Sequence, residues 1–451
     1  MTREAPGSPL TDEEFDAWLE AQLRAREVTV RPVPFSEAAG WAFRPGTGDL
    51  RHVSDGFFGI EGISVRDAGG DWTQPIIDQP EIGILGILTA DFDGRPHYLM
   101  QAKFEPGNVN VLQMSPTVQA TRSNFTGVHG GRRTPYVEYF DGSRPRRVLC
   151  DVLQSEQGQW FWRKRNRNIV VRVDPDVPVR EGFCWLSRPQ VLRLLKRDNL
   201  VNMDARTVLA CLPPGEPAGG DPLKEALARS RTALGEGAPA PAAHGLDEVL
   251  RCLIEAKSRC GWVPRLVPLD RVAGWHRTET EITDDEEREF RIIAARVSAD
   301  IREVDTWAQP LLAPRGHGLA VLLAGTVGGV LHVLLRALPQ PGLLDIVEFA
   351  PTVQVVPSAR DWEESGDPFL PSALADTGVL FDSLLSEEGG RFHHAQTRYR
   401  VVSVGEADPA AAPEGYVWAT VGQVAEMLRH GHYLNIEART LVACLYAWGE
   451  L

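Results

Sequence analysis

The chain carries one pattern twice, and that repeat limits what it can fold into. Leu99 to Asn124 reads LMQAKFEPGNVNVLQMSPTVQATRSN, and Leu334 to Ala359 reads LLRALPQPGLLDIVEFAPTVQVVPSA, aligned without a gap at an offset of 235 residues. Pro106-Gly107 falls on Pro341-Gly342, and Pro116-Thr117-Val118-Gln119 falls on Pro351-Thr352-Val353-Gln354. Further matches place Trp41 on Trp275, Trp72 on Trp307, and Asn202, Arg206 and Cys211 on Asn435, Arg439 and Cys444. Two copies of this length imply a tandem duplication in which each copy can build its own core. Residues 1–215 then form the first repeat with an N-terminal helix, 216–245 a Pro-, Gly- and Ala-rich linker, and 246–451 the second repeat.

Within a copy the middle reads as strands and the tail as helices. Short runs rich in Val, Ile and Leu are separated by Gly, Pro, Asp and Asn, with Asp93-Gly94 as a hairpin signal and Pro106-Gly107 suited to the centre of a type II turn. Thr11 with Glu14 makes a capping box before an amphipathic segment, and Ser187 and Thr420 are placed to cap matching helices. The expected class is α+β, mostly antiparallel or mixed sheet with flanking helices.

Composition excludes several function classes. A formal charge of −14 argues against broad binding to nucleic acid or anionic membranes. The stretch from Arg122 to Arg172 reverses that sign, with 11 Lys or Arg against 4 acids, and would draw a small anionic ligand if it does not simply face water. The six cysteines show neither Cys-x-x-Cys pairing nor histidines at zinc spacing, so they read as reduced thiols with no metal. No apolar run approaches a membrane span, and the acidic N-terminus does not read as a signal peptide, so a cytoplasmic location is expected.

The chemistry concentrates in the first copy of the repeat. In a strand from Leu99 to Glu105, alternation puts Gln101, Lys103 and Glu105 on one face, and Asn108, Asn110 and Gln113 follow across the Pro-Gly turn. The second copy keeps the turn but has Leu338, Gln340, Leu343 and Asp345 where the first has Lys103, Glu105, Asn108 and Asn110, so the turn does not need those groups. Thr117 and Gln119 precede Arg122-Ser123-Asn124, a guanidinium beside hydroxyl and amide groups that suits phosphate oxygens. His129 follows as a further donor or acid. Trp72 and Trp307 are capable of stacking on a nucleobase, although their presence in both copies favours packing. On the second copy Asp345, Glu348 and Gln354 keep a polar surface. No dinucleotide-binding glycine fingerprint, P-loop, HExxH or GxSxG is present, which leaves cofactor-free acid–base chemistry or simple binding.

From Gln101 to Gly131, with support from His52–Val65 and Trp72–Gly86, the sequence resembles the NDP-hexose 2,3-dehydratases that prepare deoxysugars for natural-product glycosylation. The resemblance implies two Nudix-like α+β domains in tandem, a homodimer, no cofactor, and a dTDP-4-keto-6-deoxyhexose substrate. The carboxylate-rich Nudix hydrolase box is missing, so pyrophosphate hydrolysis is not expected. In that chemistry a base removes the C3 proton, made acidic by the C4 ketone, and the C2 hydroxyl leaves with the help of an acid. The candidate base is Glu105, the donor to the C4 oxygen Lys103 or Tyr98, and the acid His129, while Arg122, Ser123 and Asn124 would hold the diphosphate. The alternative is a non-catalytic nucleotide-sugar-binding or partner-stabilising protein on the same fold, and which copy reacts stays open.

Overall fold

The computed structural model describes residues 8–25, 27–67, 69–122, 134–144, 147–235, 241–299 and 306–451. Its secondary structure follows the repeat. Thr11 and Glu14 close a capping box on helix Asp12–Arg24. Ser187 with Gln190, and Thr420 with Gln423, do the same for helices Arg188–Leu194 and Val421–Met427. Asp93 and Gly94 both adopt positive φ and join strands Gly83–Phe92 and Arg95–Phe104 as a two-residue hairpin. Among the described residues no helix is long and apolar enough to cross a membrane.

Each copy builds a seven-stranded mixed sheet. In the first, Gly83–Phe92 lies between the antiparallel Arg95–Phe104 and the parallel Arg165–Arg172, and in the second Gly318–Val327 lies likewise between Val330–Pro339 and Gln396–Glu406. Thr117 ties the central strands of the first sheet, accepting from the Leu88 amide at 2.9 Å and donating to the Leu99 carbonyl. Thr352 makes the matching pair with Leu323 and Leu334. Thr117 is thus a sheet clamp, which explains its return in both copies.

Two smaller sheets are built by exchange. Strand Val28–Val33 of the first copy pairs with Phe290–Ala299 of the second, and Val263–Val267 of the second pairs with Gly59–Asp67 of the first. Each copy thus adds a strand to the other's sheet. The principal core is shared as well: Tyr98, Met100 and Leu209 belong to one buried cluster with Leu331, Val333 and Leu441. Each copy also keeps a buried cluster of its own, around Leu88, Phe140 and Trp185 in the first and around Leu319, Leu334 and Trp418 in the second. The segment between the repeats is docked rather than loose: helix Pro222–Ser230 lies on the second copy, where Ser230 Oγ donates to the Leu331 carbonyl at 2.5 Å.

At the centre, helices Met203–Ala210 and Ile436–Gly449 pack together. They carry Arg206 and Arg439, both 0% exposed. Arg206 donates to the carbonyls of Val201 and Ser386, each at 2.7 Å, and Arg439 donates to those of Leu434 and Ser155. Ser386 and Ser155 lie in the opposite copy from the arginine that holds them. Buried guanidiniums need acceptors, and here the acceptors are the two segments that cross between copies.

Pro106-Gly107 does not form the expected type II turn, because Gly107 is not in the left-handed region such a turn requires. Glycine is needed for close approach instead. A Cβ at Gly107 would meet the Phe392 carbonyl oxygen at 1.7 Å, and one at Gly342 would meet that of Phe161 at 1.8 Å.

Candidate active site

An open cleft of about 120 Å³ lies where the first copy's strand ends meet a loop of the second. Lys103 and Glu105 come from the end of strand Arg95–Phe104, and Gln119 from Val118–Ala120. Asp204 comes from the first turn of helix Met203–Ala210, which Asn202 caps by accepting from the Ala205 amide at 2.9 Å. Glu156 and Lys164 arrive from the segment before strand Arg165–Arg172, Asn166 from that strand itself, and Gln309, Glu388 and Arg391 from the second copy.

A hydrogen-bonded chain fixes the first copy's wall. Asn202 Nδ2 donates to Gln119 Oε1 at 2.9 Å, Gln119 Nε2 donates to Glu105 Oε1 at 2.7 Å, and Lys103 Nζ donates to the Gln119 carbonyl at 2.8 Å. On the facing wall Trp307 Nε1 donates to Gln309 Oε1 at 3.0 Å, and Gln309 Nε2 donates to the Gly390 carbonyl at 2.8 Å, steadying the Glu388–Arg391 loop. Arg391 Nε donates to Gln79 Oε1 at 3.0 Å.

The electrostatics are dominated by crowding of carboxyl groups. Glu105, Asp204 and Glu388 bring one carboxylate oxygen each to within 4.8 Å of one another. Burial pushes Glu388 up to about 8 against the pull of Arg391, with Glu105 and Glu156 adding to the rise. Burial also raises Asp204 well above the carboxylate range, helped by Glu156, Glu388 and Glu105. Lys164 is lowered to about 8 by burial, which the Glu156 carboxylate opposes. A site of this kind holds both protonated and ionised carboxyl groups at neutral pH, the condition for acid and base to work side by side.

The NDP-hexose 2,3-dehydratase family pattern matches residues 12–212 and again 246–445. The chain belongs to the NDP-hexose 2,3-dehydratase family. Three relatives carry the name dTDP-4-dehydro-6-deoxy-α-D-glucopyranose 2,3-dehydratase. The protein of Saccharopolyspora spinosa is 47% identical, over 96% of this chain and 91% of its own. That of Streptomyces violaceoruber is 44% identical over 96% of each chain, and that of Amycolatopsis orientalis 41% over 98% of this chain and 91% of its own. A solved ADP-compounds hydrolase covers 29% of this chain and 71% of its own at 16% identity, with a TM-score of 0.20. That likeness carries no argument about fold.

Within this 2,3-dehydratase family member, the cleft gathers Lys103, Glu105 and Gln119 of the residues singled out from sequence. Asn110 and Gln113 sit outside it, bonded to each other at 2.9 Å and to Asn199 and Ser386. Asn108 packs against Gly389 of the opposing loop, and Gln101 pairs with Phe183 and Ser115 in the sheet. Arg122 is exposed and follows Thr121, which lines the cleft, while Ser123, Asn124 and His129 lie outside the described residues. Tyr98 must be corrected: it is an even-numbered position on a strand whose odd-numbered Lys103 lines the cleft, so its side chain enters the opposite, core face. There its hydroxyl accepts from Arg188 at 3.4 Å. Trp72 packs edge-to-face on Trp262 in a small apolar cluster, away from the cleft.

The second-copy residues do not converge on one pocket. Asp345 accepts from Lys257 at 2.9 Å on the surface, and Glu348 is buried with Ser155 at 2.6 Å. Gln354 borders a cavity of only about 10 Å³, lined in part by Gln157 and Trp160 of the first copy. A larger cavity of about 200 Å³ opens beyond Trp160, lined by Val355, Pro357, Ser358 and Arg360 together with Glu289, Asp361 and Glu364.

Sequence reasoning missed Asp204, Glu156, Lys164, Glu388 and Arg391. One signal was present: Glu156-Gln157-Gly158-Gln159-Trp160 aligns with Glu387-Glu388-Gly389-Gly390-Arg391, a polar loop that differs between copies at the positions reaching across.

Proposed function

We propose that this protein removes water across C2–C3 of dTDP-4-keto-6-deoxyglucose, giving a 2,6-dideoxy 3,4-diketo sugar nucleotide. The observation that carries this reading is the family match running through both copies, because the cleft is assembled from both. The Nudix-like description of each copy, a homodimer and a cytoplasmic location belong to the same reading.

The cleft's chemistry suits the reaction. The C4 ketone acidifies the C3 proton, and Glu105, aimed by Gln119, is the base that takes it. General acid–base help of this kind is worth roughly 10²- to 10⁴-fold. Lys103, two residues away on the same strand face, supplies a charged donor to the C4 oxygen as the enolate forms. One preorganised donor contributes about 3 kcal/mol. Arg122, with Ser123 and Asn124, is the set assigned to the diphosphate.

The test is incubation of the protein with dTDP-4-keto-6-deoxyglucose in deuterated water, followed by proton NMR of the sugar. Loss of the C2 hydroxyl with the diphosphate intact is the expected result. A sugar that binds and stays unchanged would point instead to a binding protein, and release of dTMP to a hydrolase. Sedimentation of the free protein checks the dimer.

A further inference from the structure

We propose that Glu388, a side chain of the second copy, is the acid that protonates the departing C2 hydroxyl, working from the same ring face as Glu105. The inference rests on the reading above. It begins from the substrate's stereochemistry: in the D-gluco configuration the C3 hydrogen and the C2 oxygen lie on one face of the ring. A base and an acid serving that pair must stand side by side. Glu105 and Glu388 do so, with carboxylate oxygens within 4.8 Å.

The cluster also has acceptors that no described residue satisfies. Asp204 Oδ1 and Glu156 Oε2, on residues each 3% exposed, have no hydrogen-bond partner, and neither has Glu388 Oε2. Buried oxygens in that condition call for a proton or a ligand hydroxyl. The charged groups around Glu388 are the acids Glu105, Asp204 and Glu156 and the cations Lys103, Lys164 and Arg391. Burial among those acids keeps Glu388 protonated at neutral pH. Asp204 and Glu156 sit deeper, whereas Glu388 is the more open to the cleft, which makes it the carboxyl able to reach the sugar.

The step balances within the site. As the C3 proton leaves, the C3–H electron pair forms a C3=C4 double bond and the C4 oxygen carries the enolate charge; that pair then forms the C2=C3 bond and the C4 ketone returns as the C2–O bond breaks. Glu105 gains the C3 proton, Glu388 gives its own to the leaving oxygen, and water departs. The C3 enol becomes a ketone by moving its proton to C2. Glu105 then returns a proton to Glu388 across the cluster, with Asp204 adjoining both.

The test compares wild type and Glu388→Gln on the natural substrate and on its 2-deoxy-2-fluoro analogue, whose fluoride departs without a proton. For E388Q, elimination from the natural substrate is expected to fall roughly 10²- to 10⁴-fold. Deuterium exchange at C3 and loss of fluoride should stay near wild-type rates. A second measurement needs no variant: wild-type elimination of hydroxyl should decline above about pH 8 while that of fluoride does not. Unimpaired elimination by E388Q, equal losses in all three readouts, or a shared alkaline decline would overturn the proposal. So would wild-type activity that a chelator abolishes and magnesium restores, since the carboxylates would then be holding a cation. Failure of the wild type to consume the natural sugar would instead sink the parent reading.

Discussion

The amide of Gly107 donates to the carbonyl of Gly389 at 2.7 Å, and 235 residues later Gly342 donates to Gly158 at the same 2.7 Å. Each Pro-Gly turn therefore grips the other copy's crossing loop. The first grip holds the segment that brings Glu388 and Arg391 into the cleft, so the turn retained in both copies has a positional purpose that a turn alone would not need.

Gly107→Ala places a methyl 1.7 Å from the Phe392 carbonyl oxygen, against backbone that has no rotamer to escape into. The expected cost is about 3 kcal/mol of stability, by analogy with overpacked cores. Turnover should fall with it, since the Glu388 loop must move. Urea melts alongside steady-state rates will show whether both drop.

Arg206→Met leaves the Val201 and Ser386 carbonyls without their donor in a fully buried place. A loss of roughly 2–6 kcal/mol is expected, at about 1–3 kcal/mol for each buried acceptor left unsatisfied. Arg439→Met should cost a similar amount through Leu434 and Ser155. Chemical denaturation of the two variants side by side checks this.

Glu105→Gln preserves an oxygen able to accept from Gln119, so the fold should be intact. Proton abstraction should not be: exchange of the C3 hydrogen and product formation are both expected to fall about 10³-fold. A variant that still exchanges C3 at the wild-type rate would remove Glu105 from the role of base.

Tyr98→Phe is expected to leave turnover within about twofold, because it loses one long hydrogen bond from Arg188 on the face away from the cleft and nothing at the cleft itself. A large fall in kcat would restore Tyr98 as a candidate donor.

Glu437, which matches Asp204, is pushed up to about 8 by burial, from an ordinary value of 4.5. A carboxyl raised in the folded state contributes its stability fully below the unfolded value and loses it as pH rises through the folded one. Glu437→Gln should therefore raise the melting temperature more at pH 8 than at pH 5. Equal shifts at both values would mean that Glu437 is ionised in the fold.

Much of this architecture is visible in one-dimensional patterns because those patterns are local. The capping boxes at Thr11, Ser187 and Thr420, the Asp93-Gly94 hairpin and the alternation that sets Lys103 and Glu105 together all depend on neighbours within a few residues. Tyr98 was readable by the same alternation, which places it on the opposite face from Lys103. What lay beyond reach was contact between groups 99 and 283 positions apart in the chain. Asp204 comes from a later helix and Glu388 from another copy, and no spacing rule joins them to Glu105. The turn at Pro106-Gly107 shows the same limit: the glycine was recognised, but its reason was a carbonyl 285 residues away.

The exchanged first strands have one more consequence. When two identical subunits complete each other's sheets, every substitution appears twice and both sites must change together. Here the two halves travel on a single chain, so Glu105 can stand opposite a counterpart that has become Gln340, and Gln157 opposite Glu388. Covalent linkage turns an obligatory symmetry into a division of labour: one half supplies the bed of the site, and the other reaches in.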